Sequence, residues 1–262
     1  MKKFGSFALA ALLVAALGAS ASAANSYEAA KGTATVDGKK DNIYVCDAIV
    51  VNIGETTGVE ATEGSTAKVW TAYDENNLYV YAEIADSTVT DKSKVTSIYQ
   101  NDSVEVYVNL SGTEGAIADI NAGQITYGPS FTTIAGGGKY LNDNKDDIKT
   151  AFTYNDNGYT VELALPFTDF DAEEGATLTF GFGVNDDADD DASTREFHNF
   201  DAANMGSAWS TADSNWSTLT LSDKKYTPKA ESAAQTADMG IVAAAASLAA
   251  SGAAFISLKK RK

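Results

Sequence analysis

Cysteine is almost absent from this sequence of 262 residues: Cys46 stands alone, so no internal disulfide can staple the chain. The fold must rest on its core, or on bound metal. Proline occurs three times and histidine once, at His198. One histidine gives little around which to build a serine-type triad or a His-rich metal site. Basic residues are also scarce, 19 against 36 acidic. Two of the basic residues sit in a leader and four in a terminal tail, which leaves 13 against 36 and a charge of about −23 between them. Such a surface repels nucleic acid and anionic lipid, and suits neutral or cationic ligands. Long helical periodicity and internal repeats are missing from the middle of the chain as well.

Long apolar runs occur only at the ends. Lys2 and Lys3 precede the run from Phe7 to Leu17, and Ala21-Ser22-Ala23 follows as a signal peptidase site, so residues 1–23 are expected to be a signal peptide of an exported protein. Residues 239–258 carry no charge, which is the length of a transmembrane anchor, and the basic tail 259–262 belongs on the cytoplasmic side. Residues 227–238 are small and polar and read as a stalk. This order places the folded domain, 26–226, on the cell surface.

Within that domain, apolar and polar residues alternate with period two. In the run 78–84, Leu78, Val80, Ala82 and Ile84 face one way; in 103–110 the inward set is Val104, Val106, Val108 and Leu110. Tyr159, Val161, Leu163 and Leu165 form a third such face, and Leu178, Phe180, Phe182 and Val184 a fourth. Opposite the last set, Gly181 and Gly183 leave room for a close approach. Turn sequences at 74–77, 135–139, 155–158 and 185–191 separate the runs. The expectation is an all-β domain, an antiparallel β-sandwich.

Four constellations could carry chemistry. Asp102 and Glu105 lie close in sequence, but three apart on a strand their side chains start on opposite faces, which argues against a cooperating acid and base pair. The acidic run Asp186, Asp187, Asp189 lacks the glycine and final glutamate of an EF-hand loop, yet crowded carboxylates invite calcium. His198 reads as a surface or loop residue; with Met205 seven residues on, it offers the ligand types of a haem-binding redox sandwich. Finally, 12 Tyr, 11 Phe and 3 Trp exceed what the alternating core uses. Trp209 and Trp216 lie in a polar segment with no evident core role, and an exposed aromatic plane can stack on the apolar face of a sugar.

In order along the chain, TVDGKKDNIYVCDA (35–48), AKVWTAYDENNLYVYAEIAD (67–86), IYQNDSVEVYVNL (98–110), NGYTVELALPF (157–167), TFGFGVNDDAD (179–189) and WSTLTL (216–221) resemble the family 9 carbohydrate-binding modules. The resemblance implies a β-sandwich with structural calcium and no catalytic machinery. It assigns Tyr99 and Trp209 to an aromatic clamp on a terminal sugar and Glu105 to its hydroxyls, with a xylan or cellulose fragment as the partner. An arginine of the family pattern has no counterpart in 118–128, and a glutamine is replaced by Gly183. The tail resembles a sortase sorting signal in which Thr236 is followed by Ala237, implying attachment to the wall of a Gram-positive cell. A glycoside-acting enzyme, a haem protein and a structural envelope protein remain the alternatives.

Overall fold

A computed structural model describes residues 25–89, 97–129, 131, 133–189, 195–203, 205 and 209–228. The leader 1–23, Thr236, the apolar run 239–258 and the basic tail lie outside the described residues. Among the described residues, no helix is long and apolar enough to cross a membrane.

Strands dominate. In chain order they are β1 (Ser26–Lys31), β2 (Ile49–Val51), β3 (Ile53–Gly54), β4 (Thr66–Tyr73) and β5 (Asn77–Ala85). There follow β6 (Ser103–Asn109), β7 (Gly115–Ala116), β8 (Ala122–Tyr127), β9 (Ala135–Gly137) and, after the one-turn helix α1 (Lys139–Asn144), β10 (Lys149–Asn155). The series ends with β11 (Gly158–Pro166), β12 (Thr177–Asp186), β13 (Phe197–Phe200), β14 (Thr211–Ala212) and β15 (Ser217–Leu221).

Two sheets form the layers. One runs β15-β12-β6-β8-β9, with β13 on the far end of β12 and β3 on β13; the other runs β10-β11-β5-β4, with β2 on β4. The sheets are joined by β1, whose first half pairs in parallel with β15 and whose last two residues pair in parallel with β4. Most other pairings are antiparallel, as expected of a sandwich.

The core lies between the layers, and the alternation places it. Val104, Val106 and Val108 of β6 and Phe180, Phe182 and Val184 of β12 meet Val80, Ala82 and Ile84 of β5 and Val161, Leu163 and Leu165 of β11. All are almost wholly removed from water. Each large apolar side chain so buried stabilises the fold by about 1.5–3 kcal/mol before entropy is counted.

The outer faces depart from simple alternation, because β6 is buried at every position. A second apolar cluster of Tyr107, Ile117, Phe200, Met205 and Trp216 covers the outside of its sheet. Trp216 is therefore a core residue, contrary to the polar setting its sequence neighbours imply; its indole meets the Tyr107 ring edge-on at 5.4 Å. Likewise, 135–139 is no simple turn. It contains β9 and the first residue of α1.

Candidate functional site

The outer face of the β12-β6-β8 sheet carries a cleft of about 740 Å³, which shares Tyr107 and Phe200 with the Trp216 cluster beside it. Odd-numbered residues of β6 point toward it, since Glu105 and Tyr107 line the cleft while Val104 and Val106 fill the core. Beside β6, the polar positions of β8 contribute Gln124 and Thr126. The 3-10 turn Ile98–Gln100 leads into β6 and carries Tyr99, which is 48% exposed. Ser103 fixes that turn, its hydroxyl lying 3.1 Å from the Ile98 carbonyl. Trp209, 53% exposed, precedes β14, whose short ribbon with β7 holds it over the sheet. Tyr99, Glu105 and Trp209, three residues scattered over more than a hundred positions, thus line one cleft.

Glu105 sits at the floor, 3% exposed. The Tyr107 hydroxyl donates to Oε2 in a short hydrogen bond, and Asn185 Nδ2 donates to Oε1 at 3.2 Å. His198 Nε2 lies 3.4 Å from Oε2. Burial alone would raise the pKa of this carboxyl; the adjacent imidazole, the phenol and the amide outweigh it and hold the pKa at about 2. The same bond pushes the Tyr107 hydroxyl well above its usual range, with burial the larger cause. Gln124 Nε2 donates to Tyr107 Oη at 3.3 Å, extending the network across to β8.

Two further residues close the network. Arg195 Nη1 donates to Asn185 Oδ1 at 2.7 Å, and its Nη2 pairs with Glu55 Oε2 at 3.1 Å. Glu55 in turn lies 3.5 Å from His198 Nδ1, and the imidazole holds the Glu55 carboxyl below its ordinary range against the opposing effect of burial. None of Glu55, Gln124 and Arg195 stands out in the sequence by motif. Signals existed for two of them: Gln124 and Thr126 alternate with Gly123 and Ile125, and Arg195 is one of two arginines in the chain, the other being Arg261. Glu55, in a loop after β3, gave none.

His198 is no surface residue. It lies on β13, 7% exposed, with its ring centroid 3.9 Å from that of Phe200. Gly183 makes this possible, for a Cβ there would come within 2.8 Å of His198 Nε2 and 2.9 Å of the Phe200 ring. The space opposite Phe182 and Val184 is filled by side chains from the neighbouring strand rather than left for a ligand. Met205 Cε occupies the equivalent space over Gly181, fully buried and outside the cleft. That packing leaves His198 and Met205 no shared haem-sized space.

The acidic run divides. Asp186 groups with Asp86 and Asp102, all three buried, with carboxylate oxygens within 4.8 Å of one another. Asp187 and Asp189 group instead with Glu196 in a largely exposed cluster of a kind common without an ion. One metal site built from Asp186, Asp187 and Asp189 is therefore not what the fold makes: Asp186 ends β12, while Asp187 and Asp189 lie beyond the strand and group with Glu196. Ser65 N donates to Asp186 Oδ2 at 2.9 Å and Asp187 N to Asp102 Oδ1 at 2.9 Å. Asp86 Oδ2 and Asp186 Oδ1 have no hydrogen-bond partner among the described residues, and burial followed by the charge of Asp86 pushes Asp186 up to about 6. Those open, hard oxygens fit a calcium ion.

Comparison with known proteins agrees with this architecture. Residues 36–224 match the family described as carbohydrate family 9 binding domain-like. Over 156 residues the chain is 33% identical to exoglucanase XynX of Acetivibrio thermocellus, which covers 59% of this chain and 13% of that protein. Endo-1,4-beta-xylanase C of Paenibacillus barcinonensis is 30% identical over 156 residues, 60% of this chain and 14% of its own length. This chain thus spans a small part of both. Among solved structures, a family 9 carbohydrate-binding module from Caldicellulosiruptor kristjanssonii in complex with cellotriose superposes with a TM-score of 0.62 at 22% identity, covering 79% of this chain and 97% of that one. The same organism's module in complex with glucose gives 0.61 at 23%, covering 78% and 98%. With most of the sandwich inside the matched residues, this chain belongs to the carbohydrate family 9 binding domain-like family.

Proposed function

We propose that the domain is a non-catalytic module that binds a neutral oligosaccharide, a fragment of xylan or cellulose, in the cleft between β8 and β13. One observation carries the reading: two half-exposed aromatic side chains, Tyr99 and Trp209, line the same cleft as a buried carboxylate whose pKa is held low. A sugar ring offers an apolar C–H face to the aromatics and hydroxyls to polar groups. Tyr99 and Trp209 stack the ring; Gln124, Thr126 and Arg195 supply polar contacts beside it. Three neighbours already surround Glu105, which leaves it about one of its four lone-pair sites for a sugar hydroxyl.

The electrostatics speak against hydrolysis. A glycosidase needs one carboxyl with a raised pKa to protonate the leaving oxygen. Glu105 and Glu55 are both pushed down, so both are ionised and neither can serve as that acid.

Calcium at Asp86, Asp102 and Asp186 is part of the proposal, with a role in tying the end of β5 to β6 and β12. Export through residues 1–23, with either membrane anchoring by 239–258 or attachment to the wall at Thr236, completes it. Display of many copies on one surface raises the effective concentration of weak sites on a shared polymer.

Titrating the protein with xylo- and cello-oligosaccharides, with calcium and with chelator, while following tryptophan fluorescence, tests the reading. A saturable response that Trp209→Ala weakens at least about tenfold is expected, a stacked aromatic being worth roughly 1 kcal/mol beyond its buried area. No response to any sugar would sink it.

A further inference from the structure

Gly136 and Gly137 close β9 and Gly138 precedes α1, and the three are glycine for different reasons. Gly136 and Gly138 have φ of +126° and +100°. A Cβ would stand 2.0 Å from the Gln124 carbonyl oxygen at the first and 2.6 Å from that of Ala122 at the second. Only glycine fits either position. Gly137 is under neither constraint: its φ lies outside the left-handed region, and a Cβ there would meet nothing within 4 Å. Glycine gives up more conformational freedom on folding than any other residue, so a bare position that the backbone does not demand weakens β9 without structural return.

The open space at Gly137 belongs to the sugar cleft. Gly137 pairs directly with Gln124 and Ala135 with Thr126; directly paired residues share a face, so both β9 positions sit on the cleft side of the sheet. One register row, Phe200–Gly183–Glu105–Thr126–Ala135, runs beneath the cleft from β13 to β9. Its four strand spacings make about 19 Å. Arg195 and Glu55 gather beside β13 and Glu105 lies at the centre, whereas β9 presents a methyl group at Ala135 and nothing at Gly137. Phe131 and Thr133, in the connection leading into β9, line the cleft too. Its volume of about 740 Å³ falls in the range of roughly 300–1,000 Å³ that encloses drug-sized ligands, more than one pyranose ring needs. We infer that Gly137 is a specificity-determining residue: its missing side chain leaves a subsite over β9 for the sugar unit next to the ring held by Tyr99 and Trp209. The cleft thereby selects an oligosaccharide over a monosaccharide. This rests on the oligosaccharide reading of the same cleft. The second ring lies against Ala135 and the bare Gly137 backbone and takes its polar contacts from Gln124 and Thr126.

Gly137→Leu puts a side chain into the open space without straining the backbone. Calorimetric titration with glucose and with cellotriose should show wild type holding cellotriose at least about tenfold more tightly. Gly137→Leu should remove that preference, weakening cellotriose about tenfold and glucose by less than about twofold. Gly137→Ala should melt at or above the wild-type temperature, whereas Gly136→Ala, whose methyl would meet the Gln124 carbonyl, should melt lower. Equal wild-type affinity for the two sugars, unchanged cellotriose binding in Gly137→Leu, or an equal loss for both overturns the inference while leaving sugar binding intact. A Gly137→Ala protein that melts below wild type, or a Gly137→Leu protein that does not fold, overturns it as well, since the space would then not be open. No binding of either sugar by wild type defeats the oligosaccharide reading itself and removes the subsite with it.

Discussion

Two buried acid sites lie a few residues apart on the same pair of strands, and their chemistry runs in opposite directions. Glu105 of β6 and Asp186 of β12 are equally hidden, at 3% and 4% exposure. One carboxyl is held at about 2 and the other is pushed up to about 6. Burial therefore does not set the sign. Glu105 is met by a phenol, an amide and an imidazole, each favouring the anion; Asp186 has one backbone N–H and two further acids. The first site is complete in itself and presents a finished polar floor to a ligand. The second concentrates negative charge that a proton or a cation must relieve.

Breaking the complete site should cost most. Glu105→Ala leaves the Tyr107 hydroxyl, the Asn185 amide and His198 without their anion, and urea denaturation at neutral pH should show a loss of about 3–5 kcal/mol. The acid limb of wild type gives the same information with the sign fixed. A folded-state pKa lowered to about 2 contributes stability above the unfolded value near 4.5, and that contribution, about 3 kcal/mol, disappears as pH falls from about 4.5 to about 2.

At the other site the sign should reverse. In chelator, Asp186 costs stability that builds as pH rises from about 4 to about 6 and is fully present above, because its folded pKa is the raised one, so Asp186→Asn should stabilise the protein at neutral pH by about 1–2 kcal/mol after allowance for solvent screening. In calcium the same substitution should lower the melting temperature, since it removes a ligand. Stabilisation under both conditions would refute the calcium proposal. Smallest of all, Trp209→Ala should change unfolding free energy by no more than about 0.5 kcal/mol, because the indole is half exposed, even as sugar affinity drops.

The inner faces of β5, β6, β11 and β12 were legible because period two leaves a direct mark in an amphipathic strand. Tyr99, Glu105 and Trp209 were legible through resemblance, and the fold does bring them to one cleft. Asp186 and Asp187 read as one acidic run, but β12 ends between them and their carboxylates join different groups. Asp86 escaped notice because its partners lie on other strands, and Trp216 because its polar neighbours hide an indole that packs on Tyr107.

By itself the sequence determined an all-β domain and its hydrophobic faces, because local alternation is written in consecutive residues; the aromatic pair with a carboxylate came through the family resemblance. Tertiary structure alone decided which acid keeps its charge. His198 reaches Glu105 from an added strand, with Glu55 and Arg195 behind it, and Asp86 and Asp102 reach Asp186 from the ends of two other strands. Electrostatic energy depends on separations of a few ångströms between such segments, which the order of residues along a chain does not encode locally.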